Sequence, residues 1–314
     1  MQHTLRSALL TLIGLSAIGL ISWHVIGQIA TDSIRSAWIL PAAILIHLVQ
    51  LFLSALSWRK LLKTGSAWQV FQLRWIREAV NSLLPLAQVS GLLVSVRLSG
   101  RLGISKTFAT ASATVDIVTE AIAQALFIIL CLLLLVLLGR YSVDAKVLQS
   151  IVAVFASLLV VLLAVGVAWK TPVRQWLLSL SDRFPQRLTE ALRRAKRETV
   201  MLLRDRSRSA AAIAFHFVSW LLGLVEVYVI LWAFGIRITV AQALIIECLG
   251  TTARTIGFAI PAGIGAQEGG YVVACALFGI GPAAAVALSI MKRVRELLVG
   301  ILGLLLWQKM ETAQ

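Results

Sequence analysis

Several long stretches of the chain contain very few charges, and they constrain its fold more than any other feature. Four of them approach or exceed the ~20 apolar residues that cross ~30 Å of hydrocarbon, namely 7–27, 37–57, 150–169 and 210–234. Two more, 107–138 and 283–307, are long enough but carry internal charges. With 59% hydrophobic and 14% charged residues, the chain is more apolar than soluble proteins are. The sequence therefore predicts an all-α integral membrane protein with about six transmembrane helices, forming a single membrane domain over 1–314.

The excess of basic residues predicts how the chain is oriented in its membrane. A net charge of +15 would suggest nucleic acid in a soluble protein, whereas here it fits cytoplasmic loops and anionic head groups. Loops 58–66 and 170–209 are rich in Lys and Arg, while loops 28–36, 139–149 and 235–240 together carry four. The positive-inside rule then places both termini in the cytoplasm, in a multi-pass protein of the plasma membrane (the bacterial inner membrane) with no nucleic-acid partner.

The basic stretch 170–209 also has an amphipathic pattern, because apolar residues alternate with its charges. We expect a helix lying on the inner membrane face, with a solvated loop as the alternative. This stretch belongs to the second of two halves, 150–314, and the first half covers 1–138.

Two apolar segments are interrupted by helix-breaking residues at membrane depth. Segment 67–103 is broken at Pro85 and Gly91, and segment 240–281 is broken at Pro261, Gly263, Gly265, Gly269 and Gly270. Interrupted backbone at that depth persists only where it is buried in protein or lines a watery cavity. Two re-entrant helix pairs are the prediction, and two kinked full spans in each segment are the alternative.

With the amino terminus inside, the two interrupted segments enter from opposite sides of the membrane. Each half then consists of two spans, a re-entrant pair and a third span, in opposite orientations. An offset of 176 residues aligns Pro85 with Pro261 and Glu120 with Glu296. Inverted repeats with broken helices are typical of alternating-access transporters.

Charged residues lie in the two spans that follow the interrupted segments. Asp116 and Glu120 share one face of the first span, and the second contains Lys292, Arg293, Arg295 and Glu296. Each such charge costs ~2.5–3.5 kcal/mol at the middle of a bilayer, so lipid exposure is excluded. A polar cavity for a charged head group or a proton is one interpretation. Structural pairing of Asp116 with Arg293 and of Lys292 with Glu296 is the other.

Arg254 and Glu268 flank the break in the second interrupted segment. The helix end there suits a phosphate group, and Arg254 adds a fork of donors. Glu268 is the candidate gate or proton site, with a stabilising pair to Arg254 as its alternative.

Three short sequences resemble a known family: "NSLLPLAQVSGLL" (81–93), "ATVDIVTEAI" (113–122) and "FAIPAGIGAQEGG" (258–270). They are similar to the flippase-like transmembrane domain of lysylphosphatidylglycerol synthases in its stand-alone form, and most similar to hopanoid-biosynthesis-associated membrane proteins. The resemblance implies that Asn81 and Pro85 begin the first hairpin, and that an acidic residue follows Gly91. Leu92 stands there instead, opposite Glu268 under the 176-residue offset. Because the chain stops at Gln314 without the aminoacyl-transfer domain of full synthases, we do not expect synthase activity.

These patterns define the candidate residues for substrate binding or translocation. They are Glu268, Arg254, Gln267, Asp116, Glu120, Arg293, Lys292, Arg295, Glu296, Asn81, Gln88 and Arg97, with Pro85, Gly91, Pro261, Gly263, Gly265 and Gly269 as hinge or break positions. The histidines are scattered and the three cysteines lack CxxC spacing, so we expect no catalytic residues, no metal site and no cofactor.

The function favoured by the sequence is translocation of a polar-headed lipid between leaflets, with membrane lipids of the anionic phospholipid or hopanoid type as partners. A small-solute or ion secondary transporter of similar architecture is the alternative. A membrane-embedded lipid-modifying enzyme is less favoured, and we do not expect an enzyme.

Overall fold

All regular structure in the described part of the chain is helical. The computed structural model describes residues 38–83, 89–142, 186–256 and 265–312. The helices are α1 (Ile39–Leu62), α2 (Ala67–Leu83), α3 (Val89–Ser99), α4 (Lys106–Ser142), α5 (Gln186–Arg204), α6 (Arg206–Ala233), α7 (Val240–Ile256), α8 (Ala266–Ala276) and α9 (Pro282–Thr312), with a 3₁₀ turn at Gly100–Leu102. This confirms the all-α fold class. The predicted spans 7–27 and 150–169 lie outside the described residues.

Three of these helices are long and apolar enough to cross a membrane: α1, α4 over Lys106–Leu137, and α6. At 31 residues α9 is equally long, but a group of four charges interrupts its apolar character. Helix α1 extends past its predicted end, so Arg59 and Lys60 lie in its last turn, where cations interact favourably with the helix dipole. Of the stretch 170–209, residues Gln186–Arg204 form helix α5.

The two interrupted segments have matching architecture. Helices α2 and α7 each contain 17 residues, and α3 and α8 each contain 11. The long helices that follow begin at Lys106 and Pro282, which are separated by the 176 residues of the sequence alignment. Shortly before each of these starts, Gly103 (φ 74°) and Gly279 (φ 68°) adopt a left-handed conformation that favours glycine. The described chain therefore contains two similar successions of four helices, α1–α4 and α6–α9.

Three of the predicted break positions lie inside helices, and those three predictions were wrong. Gly91 is the third residue of α3, and Gly269 and Gly270 lie in the first turns of α8. Gly265, in contrast, immediately precedes α8 and has a φ of 86°, which is a backbone conformation that favours glycine. Pro85, Pro261 and Gly263 lie outside the described residues.

The first helices of the two halves contact each other through reciprocal hydrogen bonds. The side-chain amide of Gln50 on α1 donates to the carbonyl of Ser219 on α6 at 3.2 Å. The hydroxyl of Ser219 donates to the carbonyl of Gln50 at 2.9 Å. This contact fixes α1 and α6 against each other.

The long helices extend the contact, because each one packs into the core of the opposite half. Leu304, Trp307 and Met310 of α9 pack against the α1–α4 core, and Phe127 and Leu135 of α4 belong to the α6–α9 core. The interlocked halves leave a central space between them.

Candidate functional site

A cavity of about 550 Å³ lies between the two halves, and every described helix except α5 contributes to its lining. Its volume lies within the range of ligand-binding pockets, but most such pockets are lined mainly by apolar side chains. The charged lining residues are Arg74, Arg77, Glu78, Glu120, Glu226, Glu247, Arg254, Lys292 and Arg295. Most of these residues, together with charged side chains just outside the lining, form three clusters of ion pairs.

The first group, the Asp116 cluster, consists of Arg74, Arg77, Asp116 and Glu120, and it joins α2 to α4. One terminal nitrogen of Arg74 lies 2.7 Å from Asp116 Oδ2, and the other lies 2.9 and 3.0 Å from the two carboxylate oxygens of Glu120. Arg77 Nη1 is 3.1 Å from the same Asp116 oxygen. Asp116 and Glu120 lie one turn apart on α4. Because Arg74 bridges their two carboxylates, it fixes α2 against α4.

The second oxygen of Asp116 receives contacts from two further helices. His216 Nε2 of α6 lies 3.0 Å from Asp116 Oδ1, and Ser57 of α1 donates its hydroxyl to that atom at 3.3 Å. Asp116 is fully buried. Its partners come from both halves, so this carboxylate couples the halves as well as the hairpin.

The second group, the Lys292 cluster, consists of Lys292, Arg295, Glu226 and Glu247 and joins α9 to α6 and α7. Lys292 Nζ lies 2.7 Å from Glu247 and 3.1 Å from Glu226. Arg295 forms an ion pair with Glu226 at 3.0 Å, although neither of these two atoms makes a hydrogen bond. The hydroxyl of Tyr271 on α8 donates to Glu247 at 3.0 Å. All four charged side chains are at least 90% buried.

The third group, the Glu296 cluster, consists of Arg254, Arg293, Glu268 and Glu296. Arg254 of α7 holds Glu296 through two contacts, of 2.5 and 3.2 Å. Arg293 bridges Glu268 at 2.9 Å and Glu296 at 3.2 Å. Arg254 is 29% exposed at the cavity wall, so it is the member most accessible to a ligand.

Polar side chains accept hydrogen bonds from backbone N–H groups at the starts of α3 and α8. The carbonyl of Asn81 accepts the amide N–H of Gly91 near the start of α3, at 3.0 Å. Glu268 accepts the N–H of Gly265 at the start of α8, at 2.7 Å. The sequence analysis suggested that the helix end in the second interrupted segment could bind a phosphate. The N–H of Gly265 there is already hydrogen-bonded to Glu268 of the protein.

The structure brings many of the predicted site residues to the cavity, and it places others elsewhere. Residues from that set in the lining are Glu120, Arg254, Gln267, Lys292, Arg295 and Asn81. Arg97 lies away from the cavity, where it pairs with Glu311 at the carboxyl end of α9. Gln88 lies outside the described residues.

The ion pairs suggested by the sequence were wrong. Asp116 pairs with Arg74 and Arg77 instead of Arg293. Lys292 pairs with Glu226 and Glu247 instead of Glu296, because helices α6 and α7 supply nearer carboxylates. Arg254 likewise pairs with Glu296, and Glu268 pairs with Arg293.

Several residues of the site were missed from the sequence, although a signal was available for some of them. Glu226 is an isolated carboxylate in the apolar stretch 210–234. Arg74, Arg77 and Glu78 have the spacing of one helical face in the first interrupted segment. His216 shows no comparable pattern, since only the fold brings it to Asp116.

Asp116, Glu120 and His216 offer atoms within 4.8 Å of one another, a separation compatible with a bound metal ion. Arg74 and Arg77 occupy the carboxylate oxygens of that group. Two guanidinium groups this close make a divalent cation unfavourable, so the group fits ion pairing better than metal binding.

Comparisons with known proteins place the chain in a family of membrane proteins. Residues 6–303 match the family described as the lysylphosphatidylglycerol synthase TM region. A UPF0104 membrane protein of Methanothermobacter thermautotrophicus is 25% identical over 313 residues, covering 94% of this chain and 91% of that protein. Another UPF0104 membrane protein, from Pyrococcus horikoshii, is 26% identical over 296 residues, covering 83% and 85%. No solved structure matches the chain. The chain is a membrane protein that belongs to the lysylphosphatidylglycerol synthase TM region family.

Proposed function

We propose that this protein moves a polar-headed lipid between the leaflets of the bacterial inner membrane, with the head group passing through the cavity between the two halves. One observation carries the proposal: a cavity of about 550 Å³ with nine charged lining residues inside a bundle whose outer surface is apolar. Charge at membrane depth is costly and marks substrate paths. Its volume would accommodate a polar head, while the acyl chains stay in lipid.

The two similar helix successions support a transport role over a purely structural one. Repeats that meet at a central site can alternate in opening it to either side of a membrane. The repeats are proposed to be inverted, with both termini cytoplasmic. Residues from each half reach the cavity, and contacts such as Gln124 to Thr255, 2.9 Å between the side-chain nitrogen and oxygen, connect the halves at its edge.

The protein is further proposed to leave the lipid chemically unchanged. Each carboxylate of the three clusters is held by at least one cation. Such pairing stabilises the charged form and ties up the atoms that a general acid or base would use. The arrangement is better suited to binding a charged head than to proton transfer.

The experiment is a leaflet-exchange assay with the purified protein in vesicles. Vesicles carrying a fluorescent phosphatidylglycerol are treated with dithionite, which quenches the outer leaflet only. We expect the protein to expose inner-leaflet lipid much faster than protein-free vesicles do. Protein-containing vesicles that quench only half of the label would reject the proposal.

A matched pair of variants tests the cavity itself. Arg254→Gln removes a charge from the cavity wall, and Arg97→Gln removes one from the partly exposed contact with Glu311. Both variants are first checked for wild-type unfolding temperature in detergent. Lipid exchange should fall at least tenfold in Arg254→Gln and remain at the wild-type rate in Arg97→Gln.

A further inference from the structure

Glu78 differs from the other charged residues of the cavity, because it belongs to none of the three clusters. It is a partly buried residue of α2 that lines the cavity. Within the described ranges, its carboxylate has no cation within 4.0 Å and accepts no hydrogen bond.

The count of charges around the cavity also leaves Glu78 without a matching cation among the described residues. Each cluster contains two cations and two carboxylates, so the three clusters are neutral when His216 is neutral. Arg74, Arg77 and Arg254, whose charges interact with Glu78, are all committed to carboxylates of their own clusters. Glu78 therefore adds one negative charge that the described interior does not neutralise.

The architecture of the hairpins does not require a carboxylate at this position. Counted from the starts of α2 and α7, Glu78 corresponds to Thr251, and under the 176-residue offset it corresponds to Arg254. Neither position in the second half holds a carboxylate. Leaving a carboxylate partly desolvated without a partner carries a free-energy penalty, which suggests that another group neutralises it when the cavity is occupied.

We propose that Glu78 binds one monovalent cation that the chain itself does not supply, either a free alkali ion or an ammonium group on a lipid head. Asn81 and Ser82 follow Glu78 by three and four residues on the same helical face, and both line the cavity. The side-chain oxygen of Asn81 accepts the N–H of Gly91, and the hydroxyl of Ser82 donates to the carbonyl of Glu78. Each oxygen therefore retains a lone pair for a cation. One carboxylate with neutral oxygens balances a single positive charge, whereas a divalent ion there would leave an excess positive charge in a partly desolvated site. The inference rests on the proposed function only in treating the cation as cargo or as a coupling ion.

The test measures the thermal unfolding midpoint of the purified full chain in an uncharged detergent. One arm replaces tetraethylammonium chloride by sodium chloride at constant ionic strength. The other arm adds short-chain phosphatidylethanolamine or, for comparison, phosphatidylglycerol with the same chains, in tetraethylammonium chloride. A ligand that binds only the folded state raises the midpoint in proportion to the logarithm of its concentration once it is well above its Kd.

We expect one of the two arms to raise the wild-type midpoint by several degrees and to identify the source of the charge. A sodium response points to a free ion, and a response to phosphatidylethanolamine alone points to the ammonium head. Glu78→Gln should weaken the apparent affinity at least tenfold, and Glu78→Asp should retain a response. Glu190→Gln, on the exposed face of α5, is the control and should respond as wild type does.

A wild-type midpoint that responds in neither arm overturns the inference, and so does an unaltered response in Glu78→Gln. These outcomes are separate from the leaflet-exchange assay. A protein that is stabilised through Glu78 but moves no lipid would keep the cation site and reject the proposed function. Lipid exchange without any cation response would keep the proposed function and reject the cation site.

Discussion

Lys292 and Asp116 are each the eleventh residue of the long helix in their half, and they carry opposite charges. Their principal partners also correspond, since Arg74 and Glu247 are the eighth residues of α2 and α7. Arg74 lies 2.7 Å from Asp116, and Glu247 lies 2.7 Å from Lys292. The two halves therefore use one contact, with its charges reversed, to hold a hairpin against a long helix.

Neutralising one member of the Glu247–Lys292 pair should be more harmful than neutralising both. Lys292→Met leaves Glu247 buried without a cation, and such losses cost about 3–5 kcal/mol. In the double variant Lys292→Met/Glu247→Gln, at least half of that loss should be recovered, because Glu226 keeps Arg295. Unfolding in detergent, measured for both singles and the double, gives the coupling energy. Strictly additive losses would show that the pair does not interact.

The pair Asp116 and Arg293 serves as the control cycle, because these residues belong to different clusters. Asp116→Asn and Arg293→Gln should each destabilise the protein, since each leaves charged partners unpaired. Their effects should add to within about 0.5 kcal/mol. A large coupling energy here would contradict the partner assignments.

Glu268→Gln should lower stability moderately, because the amide oxygen can still accept the N–H of Gly265 while the charge facing Arg293 is lost. Glu268→Ala should cost about 0.5–2 kcal/mol more, the usual contribution of a helix cap. Arg293→Gln should restore part of the loss in Glu268→Gln, because Arg293 is the cation that contacts Glu268 directly, and Arg254→Gln should not. Thermal unfolding measures all three effects. Normal stability together with normal lipid exchange in Glu268→Gln would show that this carboxylate serves neither role.

Two glycines of the hairpins should respond oppositely to alanine. A Cβ at Gly91 would lie 2.3 Å from the carbonyl oxygen of Arg77 and 2.5 Å from the side-chain oxygen of Asn81. Gly91→Ala must push α2 and α3 apart, so it should destabilise by about 1–3 kcal/mol. At Gly269 a Cβ meets nothing within 4 Å, so Gly269→Ala should be neutral or slightly stabilising. Equal unfolding midpoints for the two variants would contradict the close packing of the first hairpin.

The proposed inversion of the halves predicts opposite exposure of two corresponding loops. Thr64 is exposed before α2, and Arg237 is exposed before α7. Single cysteines at these positions, introduced into a variant without Cys131, Cys248 and Cys275, should react with an impermeant thiol reagent from opposite sides of the membrane. Labelling from the same side would exclude an inverted repeat.

The sequence predicted the succession of helices well, because hydrophobic length and glycine or proline breaks are local properties. The 176-residue offset derived from Pro85 and Pro261 also relates the first residues of α4 and α9. Ion-pair partners were not predictable in this way. Lys292 is close to Glu296 along its own helix, but the carboxylates that reach its ammonium group come from α6 and α7, and only the packing of three helices determines that choice.

The glycines illustrate the same limit. Gly265 has a positive φ directly before α8 begins, which is a local requirement that glycine meets. Gly91 is needed for a contact with α2, ten residues earlier in the chain at Asn81. A sequence pattern cannot distinguish these two uses of glycine, so Gly91 was assigned to a break although it lies inside a helix.

Access through the cavity is the central claim, and blocking the cavity chemically tests it most directly. Ser82 lines the cavity, and Ser207 is exposed in the first turn of α6, away from the lining. Ser82→Cys and Ser207→Cys, each in the cysteine-free background, are reconstituted with fluorescent phosphatidylglycerol and treated with a bulky thiol reagent before dithionite is added. Lipid exchange should stop after modification at position 82 and continue unchanged after modification at position 207. Exchange that continues at the unmodified rate with position 82 fully modified would contradict passage of the head group through this cavity.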